Sequence, residues 1–544
     1  MKILPPFLGT IILGAGLDMA AADVAQIPSI TASFQGTGVE VELKYNTIES
    51  RTYQMEKSDS LANPWSNLDG PYVAPTSNLH SWLDFVEGEG SQFYQLKDNT
   101  FQPLPPANSF MGPAGTSTMH GNAASSDSTE NAGPGSGPIS ITRKSFAGVF
   151  PSILMGSDGI LVAVATKYIN ETPYVYLLDP DTLDELATMK LVKSETSELA
   201  GGIYSYLDEQ NRLVLVNAAG LLQRIAHSQS LDGSWTLTAE DSVQIGYDDV
   251  VGIVPDYEGR VWFATAAGAS DTSGAVVGYY DPSTLEIETI TLPDGEEVAN
   301  SISSSPDGVS VASTYALYLF RTENGKVTQV WRQTYDRGTS RKPGQLSWGT
   351  GATPTFFGPD TGYEYLTITD NADQQENILV YQSSSGNLLG SVPFLTAGAN
   401  SGTEDSPIGS GRSIFVPSTY GYAYPPQATS GPSSPATAPF LGGMQRVDIL
   451  PDGSLTTVWI NQSLASAAVP RLSITDNLIY TVTTDQSSGL YSFTTINPDN
   501  GSIVSSTPIG SSINDNTLQM VGTISSKGVL YQGTVQGLFS VKAQ

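Results

Sequence analysis

Carboxylate and amide side chains that could hold a metal ion gather in one part of the 544-residue sequence. Residues 369–376 read Thr-Asp-Asn-Ala-Asp-Gln-Gln-Glu, and residues 402–406 read Gly-Thr-Glu-Asp-Ser. Calcium is a hard cation that prefers such oxygen ligands. The pattern predicts a calcium site, with a plain capped turn as the alternative, because Asp-Asn-x-Asp is also a common turn sequence. The candidate metal ligands are Asp370, Asn371, Asp373, Glu376, Glu404 and Asp405.

Basic and aromatic side chains surround these carboxylates in the sequence. Three of the 24 lysine and arginine residues fall within residues 335–345, and tyrosines recur within residues 418–424. Arginine pairs with anionic groups and aromatic rings stack on flat ones, so the set suits a polar ligand with anionic and stacking features. The alternatives are that the cations only offset the acidic surface and that the tryptophan belongs to the core. The candidate contact residues are Arg337, Arg341, Lys342, Trp348, Tyr420, Tyr422 and Tyr424.

Cysteine and histidine chemistry has little support. The chain has no cysteine, which excludes disulfides, thiolate metal sites and cysteine nucleophiles. His80 and His227 lie far from the candidate residues, and His120 lies in a segment that we expect to be flexible. A Ser-His-Asp triad or a histidine-ligated zinc site is therefore not expected. Any catalysis would use carboxylate, tyrosine, lysine or arginine side chains, with or without a metal.

The charge balance excludes some partners. The formal net charge is −30, and the acidic residues are scattered along the chain. Such a surface repels nucleic acids and anionic membranes, so neither is an expected partner. The simpler interpretation of the acidity is that it keeps the protein soluble.

Residues 1–25 have the pattern of a secretory signal. Lys2 precedes an apolar run that ends at Leu17, and three alanines stand before Asp23. The apolar run is too short to span a bilayer, and no later segment reaches the necessary length. The sequence therefore predicts an exported protein, either periplasmic or extracellular.

A repeat defines the larger part of the chain. From residue 147 onward, an apolar strand, a turn of Asp, Asn, Ser or Gly, and a second alternating strand recur at intervals of roughly 40 to 70 residues. Each interval holds four strands, for example 250–254, 261–265, 275–279 and 287–291. Such four-stranded units are the blades of a β-propeller.

The number of blades follows from the two ends of the repeat region. Seven complete units precede three final strands at 517–521, 529–533 and 537–541, and residues 139–142 could supply the missing fourth strand. Pairing the two ends would close the ring and leave no open sheet edge. We therefore predict an all-β protein with an eight-bladed propeller over residues 138–544, seven blades being the alternative.

The turn spacing resembles that of quinoprotein-like propellers with "D-x-x-T/N-G" turns. Quinoprotein alcohol dehydrogenases also carry a tryptophan docking repeat and usually a vicinal disulfide beside the cofactor, and this sequence has neither. The resemblance therefore implies the fold and argues against pyrroloquinoline quinone.

Two segments precede the propeller. Residues 26–97 alternate apolar and polar side chains, which predicts a small β-sandwich. Residues 51–61, Trp65 and residues 92–96 resemble an accessory module of secreted proteins from Verrucomicrobia-like bacteria, with Gln95 in place of the usual arginine. Residues 98–137 are rich in Pro, Gly, Ser, Thr and Asn, which predicts a flexible linker.

Three functions remain open at this stage. The first is a monomeric binding or scaffold protein that holds a polar small molecule, a carbohydrate, a peptide or a protein on the face of blades 5 and 6. The second is a calcium-dependent hydrolase or lyase, which resembles six-bladed lactonase-type propellers only in the idea of a calcium ion at the channel. The third is a quinone-dependent oxidoreductase. Whether the protein is an enzyme is left open.

Overall fold

The structure is a computed structural model in which the chain forms two compact units, Met1–Gln102 and Pro103–Gln544. The described residues are 11–13, 29–35, 38–46, 52–58, 66–73, 79–87, 92–98, 100–168, 171–193, 204–267 and 273–544. Most of the predicted secretory signal lies outside these residues, so export remains a prediction. Among the described residues, no helix has the length and apolar character needed to cross a bilayer.

The first unit consists of two β-sheets. One sheet contains Ser29–Gln35, Gly38–Asn46 and Leu79–Glu87 in this order, and the other contains Ile11–Leu13, Gln92–Asp98, Thr52–Ser58 and Ser66–Val73. Val41 and Leu43 are buried and Glu42 between them is half-buried, as the period-two pattern requires. Trp65 and the side chain of Phe93 lie outside the described residues.

The second unit is an eight-bladed β-propeller, and the predicted fold is confirmed. From the innermost strand outward, blade 1 consists of Gly148–Met155, Leu161–Lys167, Thr172–Leu178 and Glu185–Lys190, and blade 2 of Tyr206–Leu207, Leu213–Val216, Leu221–Gln229 and Trp235–Gln244. Blade 3 consists of Val250–Pro255, Val261–Thr265, Val276–Asp281 and Glu286–Thr291, and blade 4 of Ser303–Ser305, Gly308–Ala312, Ala316–Glu323 and Lys326–Thr334. The described helices of this unit are two short 3-10 turns, Pro426–Ala428 and Ile513–Asp515.

Blades 5 to 8 continue the same order. Blade 5 consists of Thr355–Phe357, Tyr365–Thr369, Asn377–Gln382 and Leu388–Pro393, and blade 6 of Ile408–Ser410, Ser413–Pro417, Met444–Ile449 and Leu455–Asn461. Blade 7 consists of Arg471–Ser473, Leu478–Asp485, Leu490–Ile496 and Ile503–Gly510, and blade 8 of Thr523–Ile524, Leu530–Thr534, Gly537–Ala543 and Ile139–Ser145. The second and third strands of each blade are largely buried between neighbouring blades, whereas the outermost strands alternate exposed and half-buried residues.

The turns between the third and fourth strands explain the repeated aspartates of the sequence. In blades 1 and 3 an oxygen of Asp179 or Asp281 accepts the backbone N–H of the residue two positions later, at 2.9 and 2.8 Å. Asp and Asn favour such turns because the short side chain can bond to the backbone that follows it. The repeat in the sequence therefore marks the turns of successive blades.

The ring closes as predicted from the two ends of the repeat. Ile139–Ser145 pairs antiparallel with Gly537–Ala543 as the outermost strand of blade 8, with Lys144 opposite Leu538. The N-terminal strand of the propeller thus completes the C-terminal blade.

Residues 103–137, which we call the channel segment, correct the prediction of a flexible linker. They belong to the propeller unit and bond to the innermost strands. The first strand of each blade pairs with a strand of its own blade on one side only, so its inner edge needs other backbone partners. The channel segment supplies six of these with its carbonyl groups. The backbone N–H donors of the blades and the carbonyl acceptors of the segment, with N to O distances of 2.7 to 3.0 Å, are Met155 with Thr116, Leu207 with Ser117, Ser304 with Ala123, Phe356 with Ala124, Gly409 with Ser126, and Leu472 with Asp127. In blade 7, Ser128–Thr129 of the channel segment pairs parallel with Arg471–Ser473 as a fifth strand.

A buried polar cluster fixes the channel segment to blades 6 and 7. Nδ1 of His120 lies 2.9 Å from Oδ2 of Asp127, and Ser406 Oγ donates to the same carboxylate oxygen. Arg471 is buried, with Nη1 3.2 Å from Asp127 Oδ1. His120 therefore lies in the packed channel and not in a mobile linker. The small polar side chains of the channel segment allow its backbone to approach the backbone of the innermost strands in a narrow space.

We expect Asp127→Ala to lower the free energy of unfolding of the propeller by about 3 to 5 kcal/mol, because it leaves the buried charge of Arg471 without its carboxylate partner. The matched control is Asp181→Ala, which removes the exposed partner of Lys542 and should cost less than about 1 kcal/mol. Urea unfolding of the full chain gives both values. Equal effects of the two substitutions would show that the channel segment is not held by this pair.

Candidate functional site

One end of the propeller carries the loops that contain the candidate residues. The loops leading into the innermost strands and those joining the second and third strands lie at the same end, because adjacent strands of a blade are antiparallel. We call this end the upper face. Residues 335–354 lead into blade 5, residues 370–376 join its second and third strands, and residues 418–443 make the corresponding loop of blade 6.

Arg337 lies between two aromatic rings on the upper face. Its guanidinium carbon is 3.7 Å from the ring centroid of Tyr315 and 3.6 Å from that of Trp348. The two aromatic residues remain exposed, at 41% for Tyr315 and 38% for Trp348. Large exposed aromatic side chains are common at binding surfaces. We call these three residues the arginine stack.

Hydrogen bonds to one carbonyl group hold the stack in shape. Trp348 Nε1 donates to the carbonyl oxygen of Arg337 at 2.9 Å, and Asn371 Nδ2 donates to the same oxygen at 2.7 Å. Asn371 Nδ2 also donates to the carbonyl of Ser340 at 3.0 Å. Asn371, a predicted calcium ligand, therefore uses its amide to position the backbone of Arg337.

A second network holds Tyr315, which lies in the turn between the second and third strands of blade 4. Ser313 Oγ accepts the backbone N–H of Tyr315 at 3.2 Å and donates to the buried carboxylate of Glu296. Glu296 also accepts Tyr318 Oη at 2.7 Å and pairs with Arg332. The turn is thus anchored on a charged network, and Tyr315 projects from a rigid base.

The guanidinium of Arg337 has no hydrogen-bond or ion-pair partner among the described residues. Its contacts there are the two rings, and its Nε is buried. Because the rings cover both faces and Nε is buried, the N–H groups of the two terminal nitrogens, Nη1 and Nη2, are the donors that remain for a ligand.

Arg341 and Lys342 have structural roles instead. Arg341 Nη2 and Nη1 donate to the carbonyls of Gly431 and Gln345 at 2.9 and 2.6 Å, and burial lowers the pKa of this guanidinium. Lys342 Nζ donates to the carbonyl of Ala372 at 2.6 Å and lies 3.6 Å from Glu376 Oε1. Of the three predicted cations, only Arg337 is therefore available to a ligand.

The predicted calcium ligands do not converge. Asp370 accepts two backbone N–H groups, from Asn377 at 2.7 Å and Ala372 at 3.2 Å. Asp373 accepts the backbone N–H and hydroxyl of Thr339 at 2.9 and 3.1 Å. Within the described ranges, no group of three or more His, Cys, Asp or Glu residues is arranged to hold a metal ion. Asp370 and Asp373 thus accept hydrogen bonds from turn residues, and calcium binding stays a prediction.

The other three predicted acidic ligands are buried below the loops. Glu376 accepts Gln345 Nε2 at 3.0 Å and the backbone N–H of Thr403 at 3.1 Å. Glu404 accepts the backbone N–H of Leu346 at 2.8 Å. Burial raises the pKa of the Glu404 and Asp405 carboxyls well above their ordinary values. Both are thus favoured in the neutral form.

The predicted contact tyrosines pack inside the long loop of blade 6. Tyr420 and Tyr422 are buried. Tyr422 Oη donates to Asn516 Oδ1 at 2.6 Å, and its ring meets those of Tyr424 and Phe440 edge-on at centroid distances of 5.0 and 5.3 Å. These tyrosines form a small loop core, so the structure does not place them with Arg337 and Trp348.

Tyr315 is the residue of the stack that sequence reasoning missed. It stands in Ser313-Thr-Tyr-Ala316, a two-strand connection with one large aromatic side chain. An aromatic residue in an exposed turn was the available signal, but nothing local links it to a loop of the next blade.

Comparisons with known proteins concern the fold. No protein-family model and no curated protein matches the sequence. Similar solved structures include a europium-containing methanol dehydrogenase, at 10% identity and a TM-score of 0.49, over 79% of this chain and 98% of that one. The Dos1 propeller matches at 11% identity and a TM-score of 0.41, over 74% of this chain and 94% of that one. The periplasmic gluconolactonase PpgL of Pseudomonas aeruginosa matches at 13% identity and a TM-score of 0.37, over 68% of this chain and 97% of that one. At these identities the likenesses assign no activity.

The buried Glu376 should make stability depend on pH. Burial raises its pKa from the ordinary 4.5 to about 8, against the opposing charge of Lys342. The folded state then binds a proton that the unfolded state releases, so the free energy of unfolding falls as pH rises from about 5 to 8. We expect Glu376→Gln, which is neutral at every pH, to flatten this slope in urea unfolding.

The control for this measurement is Glu185→Gln, an exposed residue of an outermost strand. Its pH profile should follow that of the unmodified protein. A slope as steep in Glu376→Gln as in the unmodified protein would assign the pH dependence to other groups, such as the buried Glu404 and Asp405.

Proposed function

We propose that this protein is an exported binding protein whose propeller holds a carbohydrate, peptide or protein ligand on the upper face. The observation that supports this most is the arginine stack, because it combines exposed aromatic surface with a cation that has no hydrogen-bond or ion-pair partner in the described part of the chain. The stack lies where the loops of blades 4 and 5 meet. This shifts the proposed contact surface by one blade from the blade 5 and 6 face of the sequence analysis.

The rigidity of the stack supports a binding role. Its side chains are held by Asn371 and by the Glu296 network before any ligand arrives. A preformed site loses less conformational entropy on binding than a flexible one does. Arg341, Lys342 and the carboxylates of blade 5 then serve the site by fixing its loops.

A glycan and peptide array tests the proposed function. We expect the full-length protein to bind a subset of ligands, and Trp348→Ala and Tyr315→Ala each to weaken that binding about tenfold or more, because each removes a stacking surface. The matched control is Tyr168→Ala, an exposed aromatic residue in the corresponding loop of blade 1. Binding that all three variants retain, or an array without any bound ligand, would contradict the proposal.

Export is tested separately. We expect the protein recovered from a bacterial host to lack the predicted signal, with a new N-terminus close to Asp23, because signal peptidase cleaves after small residues. Mass spectrometry of the intact protein measures this. A cytoplasmic product that retains Met1–Ala22 would contradict export and leave the binding site untouched.

A further inference from the structure

We infer that the ligand of the arginine stack is an acidic carbohydrate, and that Arg337 binds the carboxylate of a uronic acid residue. This inference rests on the proposed binding function and names the ligand class for the same site. It comes from three features of the stack: the covered faces of the guanidinium, the exposed faces of the rings, and the surrounding charge.

The guanidinium accepts a ligand only along its edge. Rings lie within 3.7 Å of its carbon atom on both sides, so ligand atoms have to approach in the plane of the group. A planar carboxylate matches this edge with two parallel N–H to oxygen bonds. Aromatic neighbours favour arginine over lysine for the same purpose, because a flat delocalised cation stacks and a compact ammonium group does not.

The two rings favour a carbohydrate over a peptide. Arg337 covers one face of Tyr315 and one face of Trp348, so their exposed area lies on the opposite faces and at the ring edges. A pyranose ring has an apolar C–H face that packs on such a surface, and in a uronic acid the carboxylate is attached directly to the sugar ring. One sugar can therefore stack on an aromatic face and reach the guanidinium edge. An acidic side chain of a peptide would leave the ring faces unused.

The surrounding charge favours one carboxylate per sugar over denser anions. Asp336 and Asp373 are exposed on the two loops that carry Arg337 and Asn371, and the whole chain has a net charge of −30. Sulfated or phosphorylated polymers carry a higher density of negative charge, so the acidic surface repels them more strongly, and the stack offers them one cation, Arg337, in return. A uronate places one charge per sugar at the guanidinium of Arg337.

The experiment measures binding of the full-length protein to polygalacturonate, to the same polymer with its carboxyl groups reduced to alcohols, to dextran sulfate and to polyglutamate. Affinity electrophoresis or calorimetry gives the dissociation constants. We expect binding to polygalacturonate, at least tenfold weaker binding to the reduced polymer, and weaker binding to both other polyanions. Arg337→Lys should weaken binding to polygalacturonate about tenfold. The matched control Arg321→Lys, at the opposite end of blade 4, should leave it unchanged.

Each contrary result has a distinct meaning. Equal binding of polygalacturonate and its reduced form, with loss in Trp348→Ala, overturns the uronate inference and leaves the proposed binding function in place. Tighter binding of dextran sulfate, or binding of polyglutamate that depends on Arg337, also overturns it. An absence of binding to polygalacturonate overturns it as well, and if the array too has no bound ligand, the proposed function fails with it.

Discussion

The structure depends on how the inner edges of the blades are satisfied. In each blade the innermost strand lacks a neighbouring strand of the same blade on the channel side, and unpaired backbone groups in a narrow channel are costly. The channel segment meets this requirement for six blades with its own carbonyl groups. Since one continuous segment bonds to blades around the ring, it ties them to one another at the axis. Ile139–Ser145 ties the first blade to the last at the rim.

This requirement also explains the composition of the segment. Its glycines and small polar residues allow backbone to lie against backbone. Gly121 has a φ of +84°, and a Cβ there would meet Arg471 Nη1 at 2.6 Å. A larger residue would be strained and would displace the cation that pairs with Asp127. The features that suggest disorder in an isolated sequence are the ones that a segment inside a channel needs.

The folded ring determines which polar side chains of the upper face fix loops and which can contact a ligand. Arg341, Lys342, Asp370 and Glu376 are directed inward, where they fix loops. Arg337 is half-buried between two aromatic rings, and among the described residues no polar group bonds to its side chain. A binding surface therefore arises where a strong donor is positioned by apolar contacts and its hydrogen bonds are left for a ligand.

The sequence by itself determined the all-β class, the eight blades and the closing strand, because turn residues and strand periodicity are local properties and the two incomplete ends complement each other. It also placed Arg337 and Trp348 among the candidate contact residues. Only the tertiary structure decided that residues 116–127 bond to the innermost strands, that Tyr315 joins the stack, and that Asp370 and Asp373 accept hydrogen bonds within the loops. Polar side chains look alike in a sequence, whereas their roles depend on which backbone groups from distant blades reach them once the ring has closed.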